Sequence, residues 1–452
     1  MVVQKKHSGR FGARSVEPPP PPPPGLTARL SASNALADIL SSAHSIEDRL
    51  VALKNSDLDP RDKALVRSIL TASLRHLGSI RTLLAKSLER GLPKKSGALE
   101  WYLVTAAAQI LYMDVPDHAA VDLAVHAAKR DPRSAPFAGL TNAVLRNIVR
   151  AKDEPGAIVD PFIDTPQWLA ARWTKTYGRE VAAQIAHMHG LEPTLDLTVK
   201  SAPAEWAARL GGSVLPTGSV RLATHTPIDA LEGYEDGAWW VQDAAAALPA
   251  RLLNVHASER VGDLCAAPGG KTAQLALTGA HVVAVDRSAE RMKRVAENLT
   301  RLGFNAELHV GDALSFDAAP FDAILLDAPC SGTGTIRRHP DLAWIKRTSD
   351  IAALAALQAK MLDRACAMLK PGGRLVYSTC SLEPEEGEQQ IATLLRRNPD
   401  LKRLPINADE IGGISECLTP EGDIRSLPAH LANGDPRLAG LDGFFVARLQ
   451  RK

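Results

Sequence analysis

Two cysteines stand where apolar runs give way to turns. Cys330 follows Phe321-Asp-Ala-Ile-Leu-Leu-Asp327-Ala-Pro329, and Cys380 follows Arg374-Leu-Val-Tyr-Ser-Thr379. Each run reads as a buried parallel strand. Pro329 removes a backbone donor and holds Ala328 extended, while Gly332 and Gly334 let the chain turn sharply beyond it. In open α/β sheets ligands bind at the carboxyl edge, so two thiols and the carboxylate of Asp327 converge where chemistry is done. Such a pair is a disulfide, half of a metal site, a core pair or a catalytic couple. Five cysteines are an odd number, and the basic N-terminus leads into no apolar segment of a secretory signal. Reduced thiols in the cytoplasm are therefore expected. Cys265, Cys330, Cys366, Cys380 and Cys417 form no CxxC, and no further ligand completes a set, so no metal site is expected. Cys366 lies at apolar spacing in a helix and reads as core.

A second constellation begins at Asp263-Leu-Cys265-Ala266-Ala267-Pro268-Gly269-Gly270-Lys271-Thr272, after another apolar run. The loop is neither GxGxxG nor GxxxxGK[ST], because Cys265 would have to be the first glycine of the latter. Its glycines let a nucleoside lie close to the backbone at a helix N-terminus. Asp286 ends the next strand, where a carboxylate accepts from ribose hydroxyls. Asp312 ends a third strand, within reach of an adenine amino group, and Asp327 ends a fourth. Each acid taken alone also reads as a helix cap. Four acids at four successive strand ends repel a dinucleotide phosphate and suit a cationic, phosphate-free ligand such as S-adenosylmethionine. A thiol beside a methyl donor has a defined use. Carbon 5 of cytosine is not nucleophilic until a thiolate adds at carbon 6. A protonated acid near ring nitrogen 3 assists that addition. A base then removes the carbon 5 proton and the thiolate leaves.

The elements that must position these groups follow from the whole chain. With 452 residues, 45% of them hydrophobic, it exceeds one core and suggests about three domains. No apolar run reaches the ~18 residues of a membrane helix. A formal charge of +2 makes any nucleic-acid surface local. Residues 1–25 read as a disordered tail, basic at Lys5, Lys6, Arg10 and Arg14 and unbroken proline over 18–24. Residues 26–150 carry helical periodicity throughout, predicting a bundle. Residues 160–238 read as a small α+β domain, with Thr165 capping a helix that Pro166 opens. From 239 to 452 strands alternate with helices, which predicts a parallel, doubly wound sheet. Gly443–Arg448 alternates and is expected to add an antiparallel strand. Arg337-Arg338-His339 reads either as a phosphate-holding group at the site mouth or as a solvated turn. Trp344 reads as core. Glu383, Glu385, Glu386 and Glu388 read as helix-start acids rather than catalytic bases.

Asp327-Ala-Pro-Cys330-Ser-Gly-Thr-Gly334 and Ser378-Thr-Cys380-Ser-Leu-Glu-Pro-Glu-Glu-Gly-Glu388 resemble the signature motifs of RNA 5-methylcytosine methyltransferases. Leu65–Leu70, Gln109–Val121 and Thr141–Arg146 resemble the NusB-like helical fold. From Leu26 to Gln450 the chain resembles the RsmB (Sun/Fmu) family of 16S ribosomal RNA 5-methylcytosine methyltransferases. The resemblance implies an α/β, class I (Rossmann-like) S-adenosylmethionine-dependent methyltransferase domain behind an all-α NusB-like RNA-binding bundle and a small α+β domain. It implies a cytoplasmic, monomeric enzyme acting on RNA and not at a membrane. It assigns Cys380 as nucleophile and Cys330 to product release. Cys265, Ala266, Ala267, Pro268, Gly269, Gly270, Lys271, Asp286, Asp312 and Asp327 become cofactor contacts, with Asp327 also at the target base. Cys330 as nucleophile, as in DNA cytosine methyltransferases, and a non-catalytic NusB-like RNA- or ribosome-binding protein stand as alternatives. One departure falls at Thr194-Leu-Asp196-Leu-Thr-Val-Lys200, where the family tends to show Leu-Arg-Val-Asn.

Overall fold

The computed structural model describes residues 22–54, 56–152, 160–224, 226–435 and 438–452. The basic residues and most of the prolines of the expected tail lie outside them. Seven α-helices follow between Leu26 and Ala151. Pro60 opens one of them, and Asp59 caps it by accepting from Asp62 N at 2.7 Å. Their apolar stripes close on one cluster that includes Leu36, Ile39, Ile69, Leu70, Leu103, Leu145 and Ile148, all fully buried. Helices Gln167–Tyr177 and Arg179–Gly190 come next. The first starts after Pro166 with no side-chain cap, so Thr165 does not cap it.

A small antiparallel sheet contains β1 (Leu195–Val199), β2 (Ser213–Val214), β3 (Val220–Leu222) and β4 (Trp239–Val241), in the order β2-β3-β1-β4. The sequence reading put Trp239 at the head of the last domain. The strand it starts pairs instead with β1, Val199 opposite Trp239. The helix Pro203–Leu210 and the fully buried Trp239 complete that small core.

The main sheet holds β5 (Arg260–Leu264), β6 (His281–Asp286), β7 (Glu307–Val310), β8 (Phe321–Asp327), β9 (Leu369–Thr379), β10 (Leu401–Arg403), β11 (Ile424–Ser426) and β12 (Phe444–Arg451). The order is β10-β12-β9-β8-β5-β6-β7, with β11 paired to β12. Strands β5 to β9 run parallel, and β10 to β12 join antiparallel. The chain winds outward from β5 to β7 and returns to β8 on the other side of β5. A crevice opens at that reversal, on the carboxyl edge.

The segment after the Cys330 loop ties these parts together. Arg337 and Arg338 neither meet solvent phosphate nor form a solvated turn. Arg337 is buried, with Nε 2.5 Å from Asp442 Oδ1 and Nη2 2.5 Å from Asp243 Oδ2. Arg338 reaches Asp243 at 2.7 Å and Asp442 at 3.1 Å, and donates to Thr194 O. Beside them Asp196 holds Arg221 through two bonds of 2.6 and 2.7 Å, both side chains fully buried. Burial works against the Asp243 carboxylate, yet Arg337 and Arg338 hold its pKa well below the usual range. His339 pairs with Glu47 at 3.2 Å, Asp341 accepts from Ile46 N at 3.1 Å, and Trp344 Nε1 donates to Leu74 O at 2.8 Å. Trp344 and Ile345 thus pack against the helical bundle. Removing one member of a buried ion cluster strands the others, at a cost of about 3–5 kcal/mol. Arg337→Met should therefore lower the unfolding free energy by about 3–5 kcal/mol, and the denaturation midpoint with it. Arg209→Met, which removes a fully exposed partner of Glu232, should leave the midpoint in place. Equal midpoints for the two variants would contradict this account.

Candidate functional site

The crevice holds a cavity of about 280 Å³. Its floor comes from the carboxyl ends of β5, β6 and β8 and its wall from the loops that follow. Cys265 adopts a left-handed backbone with φ 67°, which turns its own and the Ala266 N–H back onto Val285 O at 2.9 and 3.0 Å. Asp286 ends β6 and is buried. One of its oxygens accepts from Ala267 N at 3.2 Å and the other from Ser288 N at 3.0 Å. Arg291 closes the same corner, 3.3 Å from Asp286 and 2.6 Å from Ala267 O. Asp312 caps its own turn through Leu314 N at 2.9 Å. Asp327 ends β8, accepting from Lys271 Nζ at 2.7 Å and from Ser378 Oγ at 2.9 Å. Burial opposes the Lys271 charge, but Asp327 raises its pKa.

Of the residues expected at a cofactor, Cys265, Ala267, Asp286, Asp312 and Asp327 line the cavity. Ala266, Pro268, Gly269, Gly270 and Lys271 are not among its lining residues. Gly269 has φ 101°, and a Cβ there would meet Val295 at 3.2 Å, so this glycine serves the turn and its close packing. The expectation of four acids at strand ends is corrected at Asp263, which lies inside β5, 1% exposed, and accepts from Thr272 Oγ1 at 2.6 Å. Three carboxylates therefore face the cavity. A cationic, phosphate-free ligand fits that set, whereas a phosphate would meet repulsion from it.

Cys330 and Cys380 stand on the opposite wall with their sulfurs 3.3 Å apart. A disulfide needs about 2.05 Å, so both are free thiols. The Cys330 thiol is pushed well up by its hydrogen bond to Cys380, by burial, and by the charges of Cys380 and Glu386. Burial pushes Cys265, Cys366 and Cys417 up to about 12, which leaves them inert thiols at neutral pH.

Two buried side chains beside the thiols escaped the sequence reading. Glu386 is fully buried and bonded to Ser331, Ser381 and Gln358. Glu383 is equally buried against Arg172 at 2.5 Å and Trp173 at 3.2 Å. Both stand at a helix start, Glu383 at the N-cap position of the turn Pro384–Glu386 and Glu386 within it, but their carboxylates are buried and bonded elsewhere; Glu388 opens the helix Glu388–Arg397 and pairs with Arg425 at 2.7 Å. Nothing in a run of four acids tells the buried members from the solvated ones.

The Asp263 carboxyl is pushed up to about 7, chiefly by burial and then by Asp327 and Asp286, against the pull of Thr272 and Lys271. A carboxyl raised from its unfolded value of about 3.9 favours folding in its neutral form. Its contribution is complete below about pH 4 and is lost as pH rises through 7. The melting-temperature advantage of Asp263→Asn over the wild type should accordingly grow between pH 5 and pH 8. A difference that stays flat across that interval would contradict the shift.

The sequence matches the family model described as 16S rRNA methyltransferase RsmB/F over residues 250–450 and that of the NusB family over residues 26–150. The ribosomal RNA small subunit methyltransferase B of Cronobacter sakazakii is 36% identical over 446 residues, spanning 94% of this chain and 99% of that protein. The protein of the same name from Klebsiella pneumoniae is 35% identical over 452 residues, with 94% and 99% coverage. The crystal structure of PH0851 shares the fold with a TM-score of 0.71 at 24% identity, over 96% of this chain and 99% of that one. A methyltransferase homologue from Pyrococcus horikoshii gives a TM-score of 0.54 at 29% identity, over 66% of this chain and 100% of its own. With similarity along almost the whole length, a NusB helical region in front and a Rossmann-like sheet behind, the chain belongs to the RsmB/F family of 16S rRNA methyltransferases, whose cofactor is S-adenosylmethionine.

Proposed function

We propose that the protein methylates carbon 5 of a cytosine in 16S ribosomal RNA through a covalent bond between Cys380 and cytosine carbon 6. The observation that carries this reading is the pair of free thiols 3.3 Å apart on the wall of a cavity that three carboxylates line. S-adenosylmethionine supplies the electrophilic methyl group. Asp286 and Asp312 belong to its nucleoside end, and Asp327 stands between it and the base. Lys271 and Ser378 grip Asp327 from two sides, which fixes its carboxylate for the polar edge of the cytosine. The Cys380 sulfur adds to carbon 6, carbon 5 takes the methyl group, and carbon 5 then loses its proton as the carbon–sulfur bond breaks.

The Cys330 thiol suits the last step better than the first. The largest influence holding its proton on is the hydrogen bond to Cys380, and the Cys380 charge adds to it. Once Cys380 is bonded to the base its charge is gone and its sulfur is only a weak thioether acceptor, so Cys330 becomes easier to deprotonate when a base is needed. The bundle over residues 26–150 would hold RNA by its shape and phosphates, and the target base must leave its stack to reach the thiol. Among the described residues no helix is long and apolar enough to cross a membrane.

RNA carrying 5-fluorocytosine tests the assignment, because fluorine at carbon 5 does not leave as a proton and the adduct stays trapped. Wild type and Cys330→Ala should give an RNA-linked band with S-adenosylmethionine present, and Cys380→Ala none. Loss in Cys330→Ala alone would reverse the roles, and no band from wild type would remove the cytosine reading. For the cofactor, Asp286→Ala should weaken S-adenosylmethionine binding about 10- to 100-fold by calorimetry, the loss expected for a charged hydrogen-bonding group. Unchanged binding would move the nucleoside elsewhere.

A further inference from the structure

The two thiols lie on separate loops that backbone bonds join at Ala328 N to Ser378 O, 2.9 Å, and at Gly334 N to Cys380 O, 3.0 Å. A side-chain tie is added one residue beyond each thiol. Glu386, on the short turn Pro384–Glu386, is 0% exposed. Its Oε1 accepts from Ser331 N at 2.9 Å and from Gln358 Nε2 at 3.1 Å. Its Oε2 accepts from Ser331 Oγ and from Ser381 Oγ, each at 2.5 Å. Ser331 follows Cys330 and Ser381 follows Cys380, so one carboxylate takes a donor from the neighbour of each thiol. Gln358, on the helix Thr348–Ala367, also donates to Pro329 O at 2.9 Å and so holds the residue before Cys330. The turn that carries Glu386 is fastened in its own right, because its carbonyl accepts from Tyr377 at 2.8 Å and Thr379 at 3.1 Å, both on β9.

We propose that Glu386 is a positioning residue that sets the separation of Cys330 and Cys380. Four donors fill the four acceptor directions of its carboxylate, two N–H groups on one oxygen and two rotatable hydroxyls on the other. An amide can answer all four, accepting from the N–H groups and donating to the turned hydroxyls, but an apolar side chain answers none. The Ser331 and Ser381 hydroxyls can then rotate to other partners, but Ser331 N cannot. The Cys330 loop then moves relative to Cys380. Reacting groups displaced by about 1 Å lose on the order of 100-fold in rate, while RNA affinity, which depends on other surfaces, stays the same. The role rests on the reading of the two thiols as a catalytic couple, but the geometry of the strap does not.

The test therefore carries a readout that needs no RNA. Dibromobimane becomes fluorescent when it bridges two thiols, and its bridging rate at Cys330 and Cys380, located by peptide mass mapping, reports their separation in the full-length protein. Glu386→Leu should bridge at least 10-fold more slowly than wild type. It should trap 5-fluorocytosine RNA 10- to 100-fold more slowly, with RNA and S-adenosylmethionine affinities within 2-fold of wild type. Bridging within 2-fold of wild type would overturn the proposal. Slow bridging with no trapping even by wild type would keep the strap and overturn the catalytic reading instead. Should Glu386→Leu fail to fold, Ser331→Ala and Ser381→Ala each remove one donor and leave the charge in place. Slowed bridging in both supports the strap, and wild-type rates in both overturn it.

Discussion

Charge withdrawn from water must be answered by charge, and in this chain that demand is met at one place. Asp196 comes from the small sheet, Asp243 from the loop beyond β4, and Asp442 from the turn before β12. Arg337 and Arg338 come from the segment after the Cys330 loop and reach all three. None of the five has a satisfactory alternative once the others are buried, so the small sheet, the main sheet and the active loop settle as one arrangement. The Cys330 loop inherits its rigidity from this junction. Gly334 N reaches Cys380 O at 3.0 Å and Gly443 N reaches Gly334 O at 2.8 Å. A Cβ on Gly334 would fall 1.9 Å from Gly443 O, so the approach requires glycine.

The junction and the cavity divide the electrostatic work. On the cavity side the carboxylates of Asp286, Asp312 and Asp327 stand at strand ends, arranged for a cation. Beneath them Asp263 is starved of solvent and spends its hydrogen bonding on Thr272. On the junction side Arg221, Arg337 and Arg338 are each already matched to an acid or a carbonyl.

The parallel sheet, the helical bundle and the converging thiols were legible in the sequence because each has a local mark. Strands show as apolar runs such as Phe321–Leu326, the bundle as three- and four-residue periodicity, and the loops as prolines and glycines beside Cys330. What was not legible depends on distant partners. Arg337 looked solvated because its acids lie 94 and 105 positions away. Glu386 looked like its neighbours because a buried carboxylate and an exposed one are spelled alike. Asp263 stands one residue before the end of β5 and turns inward to Thr272, a direction that an apolar run does not mark. The strand starting at Trp239 pairs with β1 of the small sheet, a partnership that its short apolar run does not reveal. Within Thr194–Lys200, Asp196 is the acid that holds Arg221, and Lys200 Nζ donates to Leu302 O at 2.6 Å beside Phe304.

The docking of Trp344 and Ile345 against the bundle has a consequence in time. The bundle's last helix ends at Ala151, but these two side chains are made about 190 residues later. At roughly 5–20 residues per second, a ribosome takes on the order of 10–40 s to deliver them. Throughout that interval the bundle lacks the side chains that dock beside Leu74, although Trp173, Ala186 and His189, made far sooner, already stand around it. The junction between bundle and sheet therefore closes only late in synthesis, after the segment beyond the Cys330 loop has been made.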